Sequence, residues 1–210
     1  MHANPHGATL AVERRAAVLD AVRAANAFLV EDDAFRDLGF GPAPPPLFGE
    51  DPDGHVVHVR SLTKPAAPGL RIGAVIARGP ALARLRAARI VEDLYVPGPL
   101  QKAALELVGT PAWSAHLKRL RRVLRERRDA LVAAWGGSLR LPEGGMNLWV
   151  PVEGDDRELA RRALAAGVVV SPGRPFFASE PPRSFLRLTY AAEPPDRLAA
   201  AVARLRGIME

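Results

Sequence analysis

No cysteine occurs among the 210 residues. That removes disulfides, thiolate nucleophiles and cysteine-ligated metals, and it agrees with a reducing compartment. No run of about 18 apolar residues occurs either, so nothing reads as a membrane-spanning helix. The first 30 residues lack the basic, apolar, small-residue order of a secretory signal. The expectation is a cytoplasmic chain with no membrane partner. Gly-x-Ser-x-Gly and Walker patterns are missing, which leaves a hydrolase or a nucleoside triphosphatase without support. The histidines do not converge on a metal: His55 and His58 lie three apart on a predicted strand and so point to opposite faces, and His116 sits alone on a basic helix. Tyrosine is scarce, at two residues, and lysine is held to three, Lys64, Lys102 and Lys118, in a chain whose Lys and Arg total 29.

What is present is enough for one large domain or two small ones, with 48% hydrophobic residues and a net charge of +6. The positive excess raises nucleic acid as a partner. It is concentrated in "HLKRLRRVLRERRDAL", where Leu117, Leu120, Leu124 and Leu131 recur at helical spacing. The pattern describes an amphipathic helix with a solvated arginine face. No aromatic is interleaved for base stacking, which places nucleic-acid binding last among the functions considered.

Along the chain, residues 10–25 read as a helix with Asn26 as a left-handed cap, followed by a strand in "AFLVEDD". The Pro- and Gly-rich "GFGPAPPPLFGEDPDG" reads as a loop. Strands are predicted at 55–61 and 70–78, a helix from Pro80, and a long helical region to about Trp135. After "WGGS" the pattern turns to short strands and turns, with Asp155 and Glu158 as a capping pair. In "SFLRLTYAA" the period of two sets Leu186, Leu188 and Tyr190 on one face and Phe185, Arg187 and Thr189 on the other. The expected division is 1–110 α/β, 111–137 a helical connector, and 138–210 a small α+β domain.

Between the two predicted strands lies "RSLTKPAAPGLRIG", residues 60–73. Lys64 there is either a solvated charge in a polar loop or a reactive amine at a strand's C-terminal end, where open α/β sheets place ligand chemistry. Ser61 and Thr63 add hydroxyls, and Arg71 adds a fork suited to a phosphate. An amine beside a phosphate grip points to a cofactor aldehyde.

These residues resemble the lysine segment of fold-type I pyridoxal phosphate enzymes, the class I and II aminotransferases, through Ser61, Lys64 and Arg71. Three further motifs stand in family order: "ANPHG" with Asn4, "VEDDAF" with Asp32, and "FLRLTY" with Arg187. The wording "SLTKPAAPGLRIGAV", with "GGMNLWV" downstream, looks closest to the aminotransferase-like domain of MocR-branch, GntR-type regulators. The resemblance implies part of a three-layer α/β/α cofactor-binding large domain at 1–110, and the small domain after it. It implies pyridoxal 5'-phosphate joined to Lys64 as a Schiff base, with Lys64 also moving the substrate's α-proton. It gives Asp32 to the ring nitrogen, Asn4 to the ring oxygen, Ser61, Thr63 and Arg71 to the cofactor, and Arg187 to the substrate carboxylate. Taken singly, Asp32 or Asp33 could be a strand-end cap, Asn4 a turn former and Arg187 a surface residue.

Two departures matter. The tyrosine that follows the aspartate in the family is missing, since Ala34 and Phe35 occupy both positions it could take. The chain also begins at the Asn-Pro-x-Gly loop. The resemblance therefore implies the C-terminal portion of a longer design, without the first half of the large domain or the winged helix-turn-helix of the regulators. Such a portion is expected to hold cofactor weakly, to turn over little and to self-associate through an uncovered strand edge. The leading expectation is an aminotransferase acting on an amino acid or amine, a homodimer in complete form, with DNA reached only through an upstream domain. The alternatives are an effector-sensing domain and an inactive remnant.

Overall fold

The computed structural model describes residues 1–92 and 95–209 and divides them into two compact units. The first comprises Met1 and Thr9–Arg119; the second comprises His2–Ala8 and Leu120–Glu210. The boundary falls inside the helix Pro111–Trp135. The Asn4 loop groups with the second unit, not with the lysine segment.

In the first unit, a 3-10 turn at Val12–Arg14 leads into α1 (Arg15–Ala24), and Asn26 stops the helix with φ 47. The left-handed cap expected there is present. β1 (Leu29–Asp32) pairs in parallel with β2 (Val56–Ser61), which pairs antiparallel with β3 (Gly73–Ile76), giving the order β1-β2-β3. β3 is shorter than expected because 68–70 forms a 3-10 turn and Arg71 takes a left-handed conformation. One face of the sheet carries Leu29 and Val56, which pack with Leu19 of α1 and with Leu47 and Phe48 of the Leu47–Glu50 turn. The other face carries Val30, Asp32, Val59, Ser61 and Val75. Val30 is 64% and Val75 53% exposed, so this sheet leaves apolar surface uncovered.

α2 (Gly79–Glu92) buries only Ala81, and its Ile90 is exposed. The long helical region is two helices, α3 (Gly98–Val108) and α4 (Pro111–Trp135). They break at Gly109 and Thr110, where the Thr110 hydroxyl accepts the Trp113 N–H and Pro111 begins the new helix.

The second unit closes its own core. β4 (Asn147–Pro151), β6 (Phe185–Thr189) and the short β5 (Ser171–Pro172) form an antiparallel sheet in the order β4-β6-β5. Leu148, Val150, Leu186, Leu188 and Tyr190 are buried from one face, as the period of two predicts. α5 (Asp156–Ala165) and α6 (Pro195–Met209) pack against each other, and α5 packs on β5 and β6. The Asp155 carboxylate caps α5 by accepting Arg157 and Glu158 N–H. Glu158 does not reach back to complete a capping box and pairs with Arg161 instead. No helix among the described residues is long and apolar enough to cross a membrane.

Candidate functional site

The predicted residues fall into two groups, one in each unit. In the first, β2 ends at Ser61, whose Oγ accepts the Thr63 N–H at 3.2 Å and lies 2.7 Å from the Thr63 hydroxyl. The loop that follows is clipped from several sides. Leu62 N–H donates to Ile72 O at 2.9 Å, Ala66 N–H to Leu62 O at 3.0 Å, and the His116 ring nitrogen Nε2 to Pro65 O at 2.7 Å. Because a carbonyl only accepts, His116 must carry its proton on Nε2. The sequence reading left His116 without a role; the structure puts it on the residue after Lys64. Its ring also stacks on Trp113, 5.4 Å between centroids.

In this loop Lys64 is exposed, and its Nζ lies 5.6 Å from the centre of the Phe35 ring. Among the described residues the amine has no hydrogen-bond or ion-pair partner. Arg71 is likewise exposed and unpaired among the described residues. Gly73, across from Ser61, has no room for a side chain, since a Cβ there would meet Arg60 O at 2.8 Å. The close approach of β2 and β3 at this pair therefore depends on glycine.

The adjacent aspartates separate by strand alternation. Asp32 is exposed, with Oδ1 accepting the Ala34 N–H at 3.0 Å and Oδ2 unengaged among the described residues. Asp33 is 1% exposed and held internally by Arg36 at 2.9 Å. On the opposite, covered face, Glu31 Oε2 lies 3.0 Å from His58 Nδ1, and Glu31 also accepts the Leu47 and Phe48 N–H groups. Glu31, Asp33 and His58 thus converge, with donor atoms within 4.8 Å. The histidine-only survey of the sequence missed this, because the carboxylates supply the convergence. The carboxylates of this cluster already face cations and donors: Arg36 donates to Asp33 Oδ2, the N-terminal ammonium lies 3.3 Å from Asp33 Oδ1, and three of the about four lone-pair sites of Glu31 are taken by two backbone N–H groups and His58.

In the second unit, Asn4 sits in a tight loop closed by Gly7 N–H to Ala3 O and Ala3 N–H to Ala8 O, 2.6 and 2.7 Å. Gly7 has φ 69, and a Cβ there would meet Pro142 Cβ at 2.5 Å, so this position of the motif tolerates glycine alone. Arg187 on β6 donates from Nη1 to Asn4 Oδ1 and from Nη2 to Ser171 Oγ, each at 3.1 Å, and its guanidinium lies 4.9 Å from the centre of the Phe176 ring. Two of its five N–H groups are used, so three remain, enough for a bidentate carboxylate. Ser171 is on β5 and Phe176 on the 3-10 turn that follows it, and buried Asp156 secures the start of that turn by accepting Gly173 and Arg174 N–H, both at 2.9 Å. Asn147 joins by donating to Asn4 Oδ1 at 3.3 Å. Sequence reasoning missed Asn147, Ser171, Phe176 and Asp156. The period of two does put Asn147 on the non-core face of β4, the one signal available.

The chain matches the family model described as aminotransferase class I and II over residues 2–205. It is 34% identical to the HTH-type transcriptional regulator TauR of Rhodobacter capsulatus, over 97% of this chain and 44% of that protein. It is 35% identical to the 2-aminoadipate transaminase of Thermus thermophilus, over 96% of this chain and 54% of that enzyme. Among solved structures, the α-aminoadipate aminotransferase LysN of Thermus thermophilus, complexed with N-(5'-phosphopyridoxyl)-L-leucine, superposes with a TM-score of 0.89 at 34% identity, covering 99% of this chain and 56% of that one. The chain spans about half the length of the curated relatives it matches.

Proposed function

The chain belongs to the class I and II aminotransferase family, and on that premise we propose that it holds pyridoxal 5'-phosphate on Lys64 and takes an amino acid by its α-carboxylate at Arg187. The observation that carries this is the Lys64 amine, exposed and without a hydrogen-bond or ion-pair partner among the described residues, three residues past the end of β2 on a loop clipped by hydrogen bonds; the bonded Ser61 and Thr63 hydroxyls and the exposed Arg71 belong to the same segment. Lys102 and Lys118 lie on the helices α3 and α4.

The donor set suits the cofactor. Arg71 and the Ser61 and Thr63 hydroxyls are the groups for its phosphate. The open oxygen of Asp32 is the group that keeps a proton on its ring nitrogen, since a facing carboxylate favours the charged form. The Asn4 amide is the donor for its ring oxygen. When bound, pyridoxal phosphate supplies an electron sink for charge developing at the amino acid's α-carbon. Lys64 Nζ is the base that takes the α-proton and returns it. Arg187 orients the amino acid through a planar, two-point grip that a lysine would not give.

The relatives are of two kinds, aminotransferases and MocR-type regulators, and the same residues serve either. An enzyme completes amino-group transfer to a 2-oxo acid; a sensing domain exchanges the Lys64 linkage for an effector amine and stops there. Product formation from an amino donor and a 2-oxo acid separates the two.

The test is to mix the purified chain with pyridoxal phosphate, reduce with borohydride and map the phosphopyridoxyl group. It should fall on Lys64 and vanish in Lys64→Ala. A label on Lys102 or Lys118, or no label at all, overturns the assignment. Arg187→Ala should keep the label and weaken amino acid binding about 10- to 150-fold, the scale of a charge-assisted contact of about 1.5–3 kcal/mol.

A further inference from the structure

The Asn4 carboxamide oxygen is approached from two directions. Arg187 Nη1 donates to it at 3.1 Å and Asn147 Nδ2 at 3.3 Å. A guanidinium has donors and no acceptor, so the Asn4 atom facing it must be oxygen. The second donor on that oxygen must then be the amide nitrogen of Asn147. Both carboxamide orientations follow from chemistry and not from the appearance of the atoms. Two donors fill the two lone pairs of Asn4 Oδ1, and its NH2 has no partner among the described residues. Asn4 is exposed. What it offers outward is therefore hydrogen-bond donors alone.

Asn147 reaches this position through strand register. It opens β4, opposite Thr189, while Trp149 stands opposite Arg187. Asn147, Trp149, Arg187 and Thr189 share the face away from Leu148, Val150, Leu186 and Leu188, which are buried. One row along the sheet from Arg187, a short amide side chain meets Asn4 from the side that Arg187 leaves open.

We propose that Asn147 is a positioning residue of the Asn4–Arg187 pair: its Nδ2–H completes the lone-pair shell of Asn4 Oδ1 and so holds the Asn4 carboxamide with its NH2 turned out to the ligand. The proposal rests on Asn4 acting as donor to the cofactor's ring oxygen, but the side-chain arrangement it describes belongs to the ligand-free chain. Asn147→Ala leaves Asn4 restrained by Arg187 alone. Asn147→Asp does more, because a carboxylate repels Asn4 Oδ1, accepts the Asn4 NH2 and competes for the Arg187 guanidinium.

Side-chain amide 15N relaxation on the ligand-free full chain is the first test. The Asn4 NH2 should be rigid, with an order parameter near about 0.8, and should fall below about 0.6 in Asn147→Ala. The second test is the pH titration of pyridoxal phosphate absorbance on the chain. Donation to the ring oxygen favours the deprotonated form and lowers the midpoint. The midpoint should therefore rise in Asn147→Ala and rise further in Asn147→Asp. An Asn4 amide that is mobile in the unsubstituted chain, or equally rigid in Asn147→Ala, overturns the proposal. Failure of every form to take up cofactor overturns the proposed function instead, and the relaxation result still decides the role of Asn147.

Discussion

The two units place functional side chains by opposite means. In the unit from Leu120 onward, Arg187 stands on a strand whose other face is fully buried, and its partners are Ser171 on the paired strand β5 and Phe176 on the following turn, which buried Asp156 secures. In the unit ending at Arg119, the sheet has three strands, a small core around Leu19, Leu47 and Val56, and a β3 with no buried residue. Lys64 is therefore held not by a deep core but by short-range hydrogen bonds and the reach of His116 to Pro65. A packed frame resists displacement as a whole, because interiors are dense and stiff. A clipped loop moves as soon as one clip opens.

The largest test of this contrast is a truncation in each sheet. Leu186→Ala, at 0% exposure, should cost about 2–5 kcal/mol through lost transfer and a cavity, read as a drop in urea midpoint. Val75→Ala on β3 should stay within about 0.5 kcal/mol. Equal losses would mean that β3 is covered in solution.

The exposed Val30 and Val75 flank the open edges of the first sheet, and uncovered edges invite pairing between chains. Val30→Lys with Val75→Lys should shift a concentration series in analytical ultracentrifugation toward monomer, with the circular dichroism spectrum unchanged. Sedimentation that does not respond would assign self-association to another surface.

Opening one clip should have a local effect. His116→Ala removes a hydrogen bond of about 1 kcal/mol and should raise amide exchange over residues 62–67 about five- to tenfold while leaving β4 and β6 protected. Exchange that rises in both units would make His116 a general stability residue.

Phe35 offers Lys64 a ring and no hydroxyl. If its ring edge faces the cofactor, Phe35→Tyr adds a donor to the ring oxygen, and the pH midpoint of bound-cofactor absorbance should fall by about one unit. An unchanged midpoint would show that this side chain points elsewhere.

The smallest effect is expected at the cap of α5. The backbone N–H groups of Glu158 and Arg157 hold the Asp155 carboxyl below its ordinary value of 3.8. A group whose folded value is depressed stabilises the fold above its unfolded value and loses that contribution as pH falls through the folded one. Asp155→Ala should lower Tm slightly at pH 6, and the difference should close below about pH 4. A Tm gap that persists at pH 2 would point to packing and not to the cap.

Much of the local structure was legible because it is written at short range. The period of two in 185–190 separates Arg187 from Leu186 and Leu188, the Ser61, Lys64 and Arg71 spacing spans one loop, and Asn26 announces the end of α1. The adjacent pair Asp32 and Asp33 was readable only as alternatives. Which of them is spent internally depends on Arg36 and on a sheet face that only pairing with β2 defines. Residues 4, 147, 171 and 187 could not be assembled from spacing at all, since their meeting depends on β4-β6-β5 register and on a loop closed at Gly7. The carboxylate cluster around His58 escaped for the same reason. Local sequence dictates which way a side chain leaves the backbone. Which partner waits there is settled by strands and turns tens of residues apart, through packing that no single segment contains.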